Sequence, residues 1–141
     1  MLKNIPNILS PELLKILMEM GHGDELVIAD GNFPATSVAK RLVRLDGHGV
    51  PKVLEAVLKL FPLDTYSDKP VGLMAVVPGD DVQPTIWNDY ESIIKKSGEP
   101  FSSFEFIERF EFYERAKNAF AVVATSESAL YANIILKKGV I

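Results

Sequence analysis

"SPELLKILMEMGHGDELVIADGNFP", residues 10–34, runs a helix, a bend and a buried strand in direct succession, and that succession decides the fold. Ser10 is a good N-cap, Pro11 suits the first helical turn, and Glu12 favours the positive end of the helix dipole. Leu13, Leu14, Leu17, Met18 and Met20 recur at helical spacing, and Gly21 and Gly23 end the run. "ELVIAD" follows as a continuous apolar segment. It reads as a strand buried on both faces, closed by the turn residues Gly31, Asn32 and Pro34.

The same alternation continues outward along the chain. "TSVAKR" reads as a short helix and "LVRLD" as a strand. "VPKVLEAVLKLF" is a helix with apolar positions 53, 54, 57, 58 and 61, and "VGLMAVV" is a strand closed by "PGDD". "PTIWNDYESIIKKSG" is an amphipathic helix with lysines in its last turn and a glycine after it. "FEFIE" predicts a strand and "RFEFYERAKNA" a helix, in which Glu111 and Arg115 stand four apart and can pair. "FAVVATS" and "NIILKK" are further strands, joined by a helical or turn segment "ESAL". Apolar strands alternating with helices imply a mainly parallel sheet covered on both faces. The expectation is a single three-layer α/β/α domain over residues 1–141.

Composition narrows the function. The chain has 141 residues, 48% of them hydrophobic and 24% charged, with a net charge of −4. Its lysines and arginines form no basic stripe, which speaks against nucleic acid as a partner. There is no cysteine, so disulfide and thiolate chemistry are excluded, which fits a reducing compartment. "MLKNIPNILSPELL" lacks the apolar core of a signal peptide, and no apolar run approaches the ~18 residues of a membrane span. A cytoplasmic protein with no membrane partner is expected.

In open α/β sheets, ligands collect at the carboxyl ends of strands, and Asp30 and Asp46 each end a predicted strand. His22 stands between two glycines in the loop entering the first strand; whether it converges with Asp30 is open at this level. An imidazole, with an ordinary pKa of ~6.5, exchanges protons near neutral pH, and flanking glycines permit backbone angles closed to other residues. Gly21 also reads simply as a helix C-cap, with His22 a half-exposed loop residue. His48, in a second Gly-His-Gly setting after Asp46-Gly47, reads as a solvated loop histidine. The two histidines with Asp24, Asp30 or Asp46 lack any short metal-ligand spacing, so no metal is expected.

Arg109 stands among Glu105, Glu108 and Glu111, as a surface ion pair would. Tyr113, four residues on, shares its helix face. Tyr131 and Asn133 alternate along what reads as an extended segment and so point the same way. Phe104, Phe106, Phe110 and Phe112 read as core. No phosphate loop, Gly-x-Gly-x-x-Gly pattern or nucleophile elbow is present.

Three stretches carry a resemblance over nearly the whole chain: "LSPELLKILMEMGHGDELVIADGNFP", "RFEFYERAKNAFAVVATSE" and "YANIILKKG", with "LDTY" at 63–66. They resemble the ribose pyranase and fucose mutarotase family, on its L-fucose branch. The resemblance implies small α/β proteins that associate into homo-oligomeric rings, commonly decamers, with active sites near subunit interfaces. It implies an isomerase that interconverts the anomers of a free monosaccharide, L-fucose, without a cofactor. Carried over, it makes His22 the proton donor and Tyr113 a second catalytic residue. It makes Asp30, Arg109, Tyr131, Asn133 and Asp64 sugar contacts.

Three positions depart from the family pattern. Ala132 stands where Gly is usual, and an alanine resists positive φ. Gly31 replaces a usual Ala, loosening the turn, and Ser126 stands where Gly is common. The alternatives are a D-ribose pyranase and a non-catalytic monosaccharide-binding protein.

Overall fold

The alternation read from the apolar runs is realised in a computed structural model that describes residues 1–141. Six strands form one sheet: β1 (Glu25–Ala29), β2 (Leu42–Leu45), β3 (Val71–Met74), β4 (Glu105–Ile107), β5 (Ala121–Thr125) and β6 (Ile134–Lys137). Their order is β2-β5-β1-β6-β3-β4. The β2–β5, β5–β1 and β3–β4 pairs are parallel, whereas β6 runs antiparallel to both its neighbours, β1 and β3. One reversed strand therefore joins two parallel groups.

Five helices accompany the sheet: α1 (Pro11–Glu19), α2 (Ala35–Val38), α3 (Val50–Leu58), α4 (Ile86–Ser97) and α5 (Arg109–Asn118). The Ser10 side chain accepts from Leu13 N, as its capping role requires. Gly98 closes α4 in the left-handed region at φ 79°. Strand residues alternate between two apolar layers. Leu26 and Ile28 of β1 pack with α1, α3 and α4, while Val27 and Ala29 pack with α2 and α5. Helices thus cover both faces. Leu13 of α1 is wholly buried in the larger layer, and truncating such a side chain to Ala costs about 2–5 kcal/mol.

Two sequence expectations are corrected. Phe104 and Phe112 are core, but Phe106 is 57% and Phe110 63% exposed. β4 is a three-residue edge strand, and one chain supplies nothing to cover its outer side. Arg115 does not pair with Glu111. It reaches across the sheet to Glu25 and Glu105, tying the starts of β1 and β4 together. No helix is long and apolar enough to cross a membrane.

Candidate active site

A cleft of about 250 Å³ opens where β1, β3 and β4 end and the reversed β6 begins. Its size is below the ~300–1,000 Å³ of drug-sized ligand sites and suits a smaller molecule. Asp30 follows β1 directly and is 6% exposed. Burial pushes its carboxyl above the usual carboxylate range and Glu127 pushes the same way, against backbone hydrogen bonds such as that from Asn32 N to Oδ1 at 3.0 Å.

Asn133, immediately before β6, accepts from Asp30 N through Oδ1 at 2.8 Å. That bond assigns the amide: its oxygen is occupied, and its NH₂ is left as a donor to the cleft.

Arg109 and Tyr113 enter from one face of α5. The acids around Arg109 do not pair with it. Glu108 caps the helix through Phe110 N and Glu111 N, and Glu105 belongs to Arg115. The Arg109 guanidinium lies 4.5 Å from the Phe110 ring centroid and keeps its N–H donors for the cleft. Tyr113 packs against Phe33 with ring centroids 5.6 Å apart.

Tyr131 is in a turn, at φ 57°, not in the extended segment expected. Its carbonyl accepts from Trp87 Nε1 at 2.8 Å, and its hydroxyl lies against Asp80 and Val77. It still lines the same cleft as Asn133. The positive φ falls on Tyr131 and not on Ala132, so the alanine is unstrained; its carbonyl accepts from Tyr90 OH at 2.7 Å.

His22 and Asp64 are elsewhere. His22 precedes β1 and Asp30 follows it, and five strand residues separate the two ends by about 17 Å. Within one chain, therefore, His22 does not reach the cleft. Gly23, at φ 85°, makes the bend that presents it, and Asp24 Oδ2 accepts from Gly21 N at 2.7 Å to close the turn. His22 Nε2 lies 3.0 Å from Asp64 Oδ1, and its ring centroid is 5.3 Å from that of Tyr66.

Asp64 is buried. Burial works to raise its carboxyl, but Tyr66 N, Ser67 Oγ and His22 together hold it below the usual range. An ionised carboxylate only accepts, so His22 Nε2 carries a hydrogen, and Nδ1 is left without a partner in the chain. The His22 side chain is 45% exposed, beside an apolar groove that includes Met18, Leu60, Pro62 and Val140. His48 is exposed, and no group of three or more His, Cys, Asp or Glu is placed to hold a metal ion.

A model of the RbsD / FucU transport protein family matches residues 3–141. The chain belongs to this family. Among its relatives, the human fucose mutarotase is 56% identical over 99% of this chain and 94% of its own length. A crystal structure of the fucose mutarotase from Streptococcus pneumoniae in complex with L-fucose superposes with TM-score 0.94 at 52% identity, covering 99% of both chains. Bacillus subtilis RbsD complexed with D-ribose is more distant, at TM-score 0.76 and 25% identity, covering 100% of this chain and 99% of that one.

The cleft of this RbsD / FucU member also contains Phe33, Met74, Val77 and Asp80, which sequence reasoning left out. Asp80 had a signal: "PGDD" closes an apolar strand, the end at which ligands collect. Met74 and Phe33 had none, being ordinary apolar residues beside a strand end.

Proposed function

We propose that this protein interconverts the α and β anomers of free L-fucose, as one sugar-mutarotase domain over residues 1–141. What carries the reading is the clustering of Asp30, Arg109, Tyr113, Tyr131 and Asn133 around one monosaccharide-sized cleft. Full-length likeness to fucose mutarotases supports the fucose branch over the ribose one.

Mutarotation opens the ring by protonating the ring oxygen while the anomeric hydroxyl loses its proton. It then closes the ring on the other face of the carbonyl. In the cleft, Asp30 accepts from sugar hydroxyls, and Arg109 and the Asn133 NH₂ donate to them. Tyr113 supplies an aromatic wall or a proton relay. His22 donates the proton as an imidazolium, from Nδ1 while Nε2–H stays on Asp64, and general acid–base help of this kind is worth ~10²–10⁴-fold.

His22 serves the cleft of a second copy. Its end of β1 opens onto an apolar groove, and Phe106, Phe110 and Leu130 are exposed near the opposite end. Joining one end to the other is a heterologous contact, which repeats from copy to copy and forms a ring where the rotation closes. The family resemblance points to a decamer. Asp64 orients His22 and meets the sugar from the same copy. The working compartment is the cytoplasm, consistent with a chain free of cysteine.

Saturation-transfer NMR tests this on L-fucose and D-ribose, with wild type beside His22→Ala. Faster anomer exchange of L-fucose by wild type, lost in the variant while the sugar still binds, is expected. Exchange unchanged in the variant would leave a sugar-binding protein without this catalysis, and acceleration of ribose alone would move the chain to the pyranase branch.

A further inference from the structure

The hydrogen-bonding sense of the Tyr131 phenol in the cleft is decided by Asp80. A phenol has one hydrogen and two lone pairs. The Tyr131 hydroxyl donates to Asp80 Oδ2 at 2.6 Å, and a carboxylate offers no hydrogen in return. One lone pair of the same oxygen accepts from Val77 N at 3.3 Å. What is left for a ligand is the second lone pair. Asp80 is itself held: its N–H donates to Val77 O at 3.0 Å, and its Oδ1 accepts from Val82 N at 3.1 Å. It thus approaches Tyr131 from a turn closed by these two bonds.

We propose that Asp80 is a positioning residue that makes Tyr131 a hydrogen-bond acceptor, never a donor, toward one hydroxyl of the bound sugar. The cleft then offers acceptors at Asp30 and Tyr131 and donors at Arg109 and Asn133. A sugar hydroxyl must therefore meet Tyr131 with its hydrogen. The contact with Tyr131 holds Asp80 below the usual carboxylate range, and Asp80 in turn pushes the phenol upward, so the shared hydrogen stays on the phenol at neutral pH.

This inference rests on the sugar-binding reading of the cleft, and deoxyfluoro analogues of L-fucose test the two separately. Fluorine replaces a hydroxyl at nearly the same size but cannot donate. Binding to wild type, followed by NMR titration, is expected to fall about 10-fold for the one analogue whose replaced hydroxyl faces Tyr131, the worth of one hydrogen bond. In Asp80→Ala the phenol hydrogen is released, and that selective penalty disappears while L-fucose itself binds more weakly. Asp80→Glu, which keeps an acceptor, restores the discrimination in part. Asp80→Ala added to Tyr131→Phe changes nothing further, because Asp80 acts through the phenol.

A wild-type analogue pattern that survives in Asp80→Ala, or losses that add in the double variant, overturns the proposal. A wild-type protein that binds no free sugar overturns the reading of the cleft instead. Thermal unfolding of each variant identifies any loss that comes from unfolding.

Discussion

The two ends of β1 carry carboxylates tuned in opposite directions. At the C-terminal end, burial and the nearby Glu127 push the Asp30 carboxyl up in spite of its backbone hydrogen bonds; at the N-terminal end, Asp64 is equally buried, but Tyr66 N, Ser67 Oγ and His22 hold its carboxyl down. The first end keeps uncommitted donors at Arg109 and Asn133, while the second holds an imidazole by its Nε2. A carboxyl pushed up by burial and a like charge marks a candidate ligand site, whereas one held down by an imidazole and other donors serves to orient that imidazole. On the proposed function, the cleft takes its proton donor from the His22 end of a second copy.

The largest expected effect breaks the second end. His22→Ala is predicted to slow anomer exchange by ~10²–10⁴-fold with the fold intact, measured by saturation-transfer NMR beside circular dichroism. Next come the carboxylates, whose pH signatures have opposite signs. Asp30 has a raised folded pKa, so its ionisation costs the native state stability as pH rises above the ordinary ~4. Asp30→Asn is therefore expected to stabilise the protein at pH 7 while weakening sugar binding. The gain fades toward pH 4, where the carboxyl is already neutral.

Asp64 has a lowered folded pKa, so its contribution is present above ~4 and is lost as pH falls through the depressed value. Asp64→Asn is expected to destabilise at pH 7, by an amount that shrinks below pH 4. Urea unfolding of both variants at the two pH values sharpens the contrast, and matching signs would dissolve it.

A packing variant comes next. An alanine at Gly139 sets Cβ 2.5 Å from Leu63 O and 2.8 Å from Asp64 Cα, backbone atoms that cannot step aside. Gly139→Ala is expected to cost about 1–3 kcal/mol and to disturb the His22 end while sugar binding at the cleft persists. The smallest effect belongs to Ala132→Gly. Because the positive φ is at Tyr131, the glycine has no strain to relieve, and a loss of about 0.5–1 kcal/mol from backbone entropy is expected in thermal unfolding.

The elements were legible because both periods are strong here. Leu13, Leu14 and Leu17 mark a helix, and the unbroken apolar run of β1 marks a strand covered on both faces. The reversal of β6 was not legible, since an apolar run carries no direction. The two-sided character of the edge aromatics was hidden for a related reason: Phe106 and Phe104 alternate like core residues, but β4 has no neighbour beyond it. In the cleft, residue types and the family resemblance pointed to Asp30, Arg109, Tyr113, Tyr131 and Asn133. The placing of His22 followed from a fact outside local pattern, that a loop entering a parallel strand lies at the opposite end from the loop leaving it. "PGDD" marked Asp80 as standing after a strand, but its contact with Tyr131, fifty-one positions away in the chain, left no local pattern.

The central claim is that the proton donor at one end of β1 serves the cleft of another copy. Two variants, His22→Ala without the proton donor and Asp30→Asn with weakened sugar binding, are unfolded together, refolded as a mixture and assayed for L-fucose anomer exchange at a sugar concentration too low for Asp30→Asn to bind. If the site is shared across a heterologous contact, random mixing pairs an intact His22 with an intact cleft at about a quarter of the sites, and activity returns to roughly that fraction of wild type. A mixture as inactive as its parents, from proteins shown to have formed mixed oligomers, would contradict it.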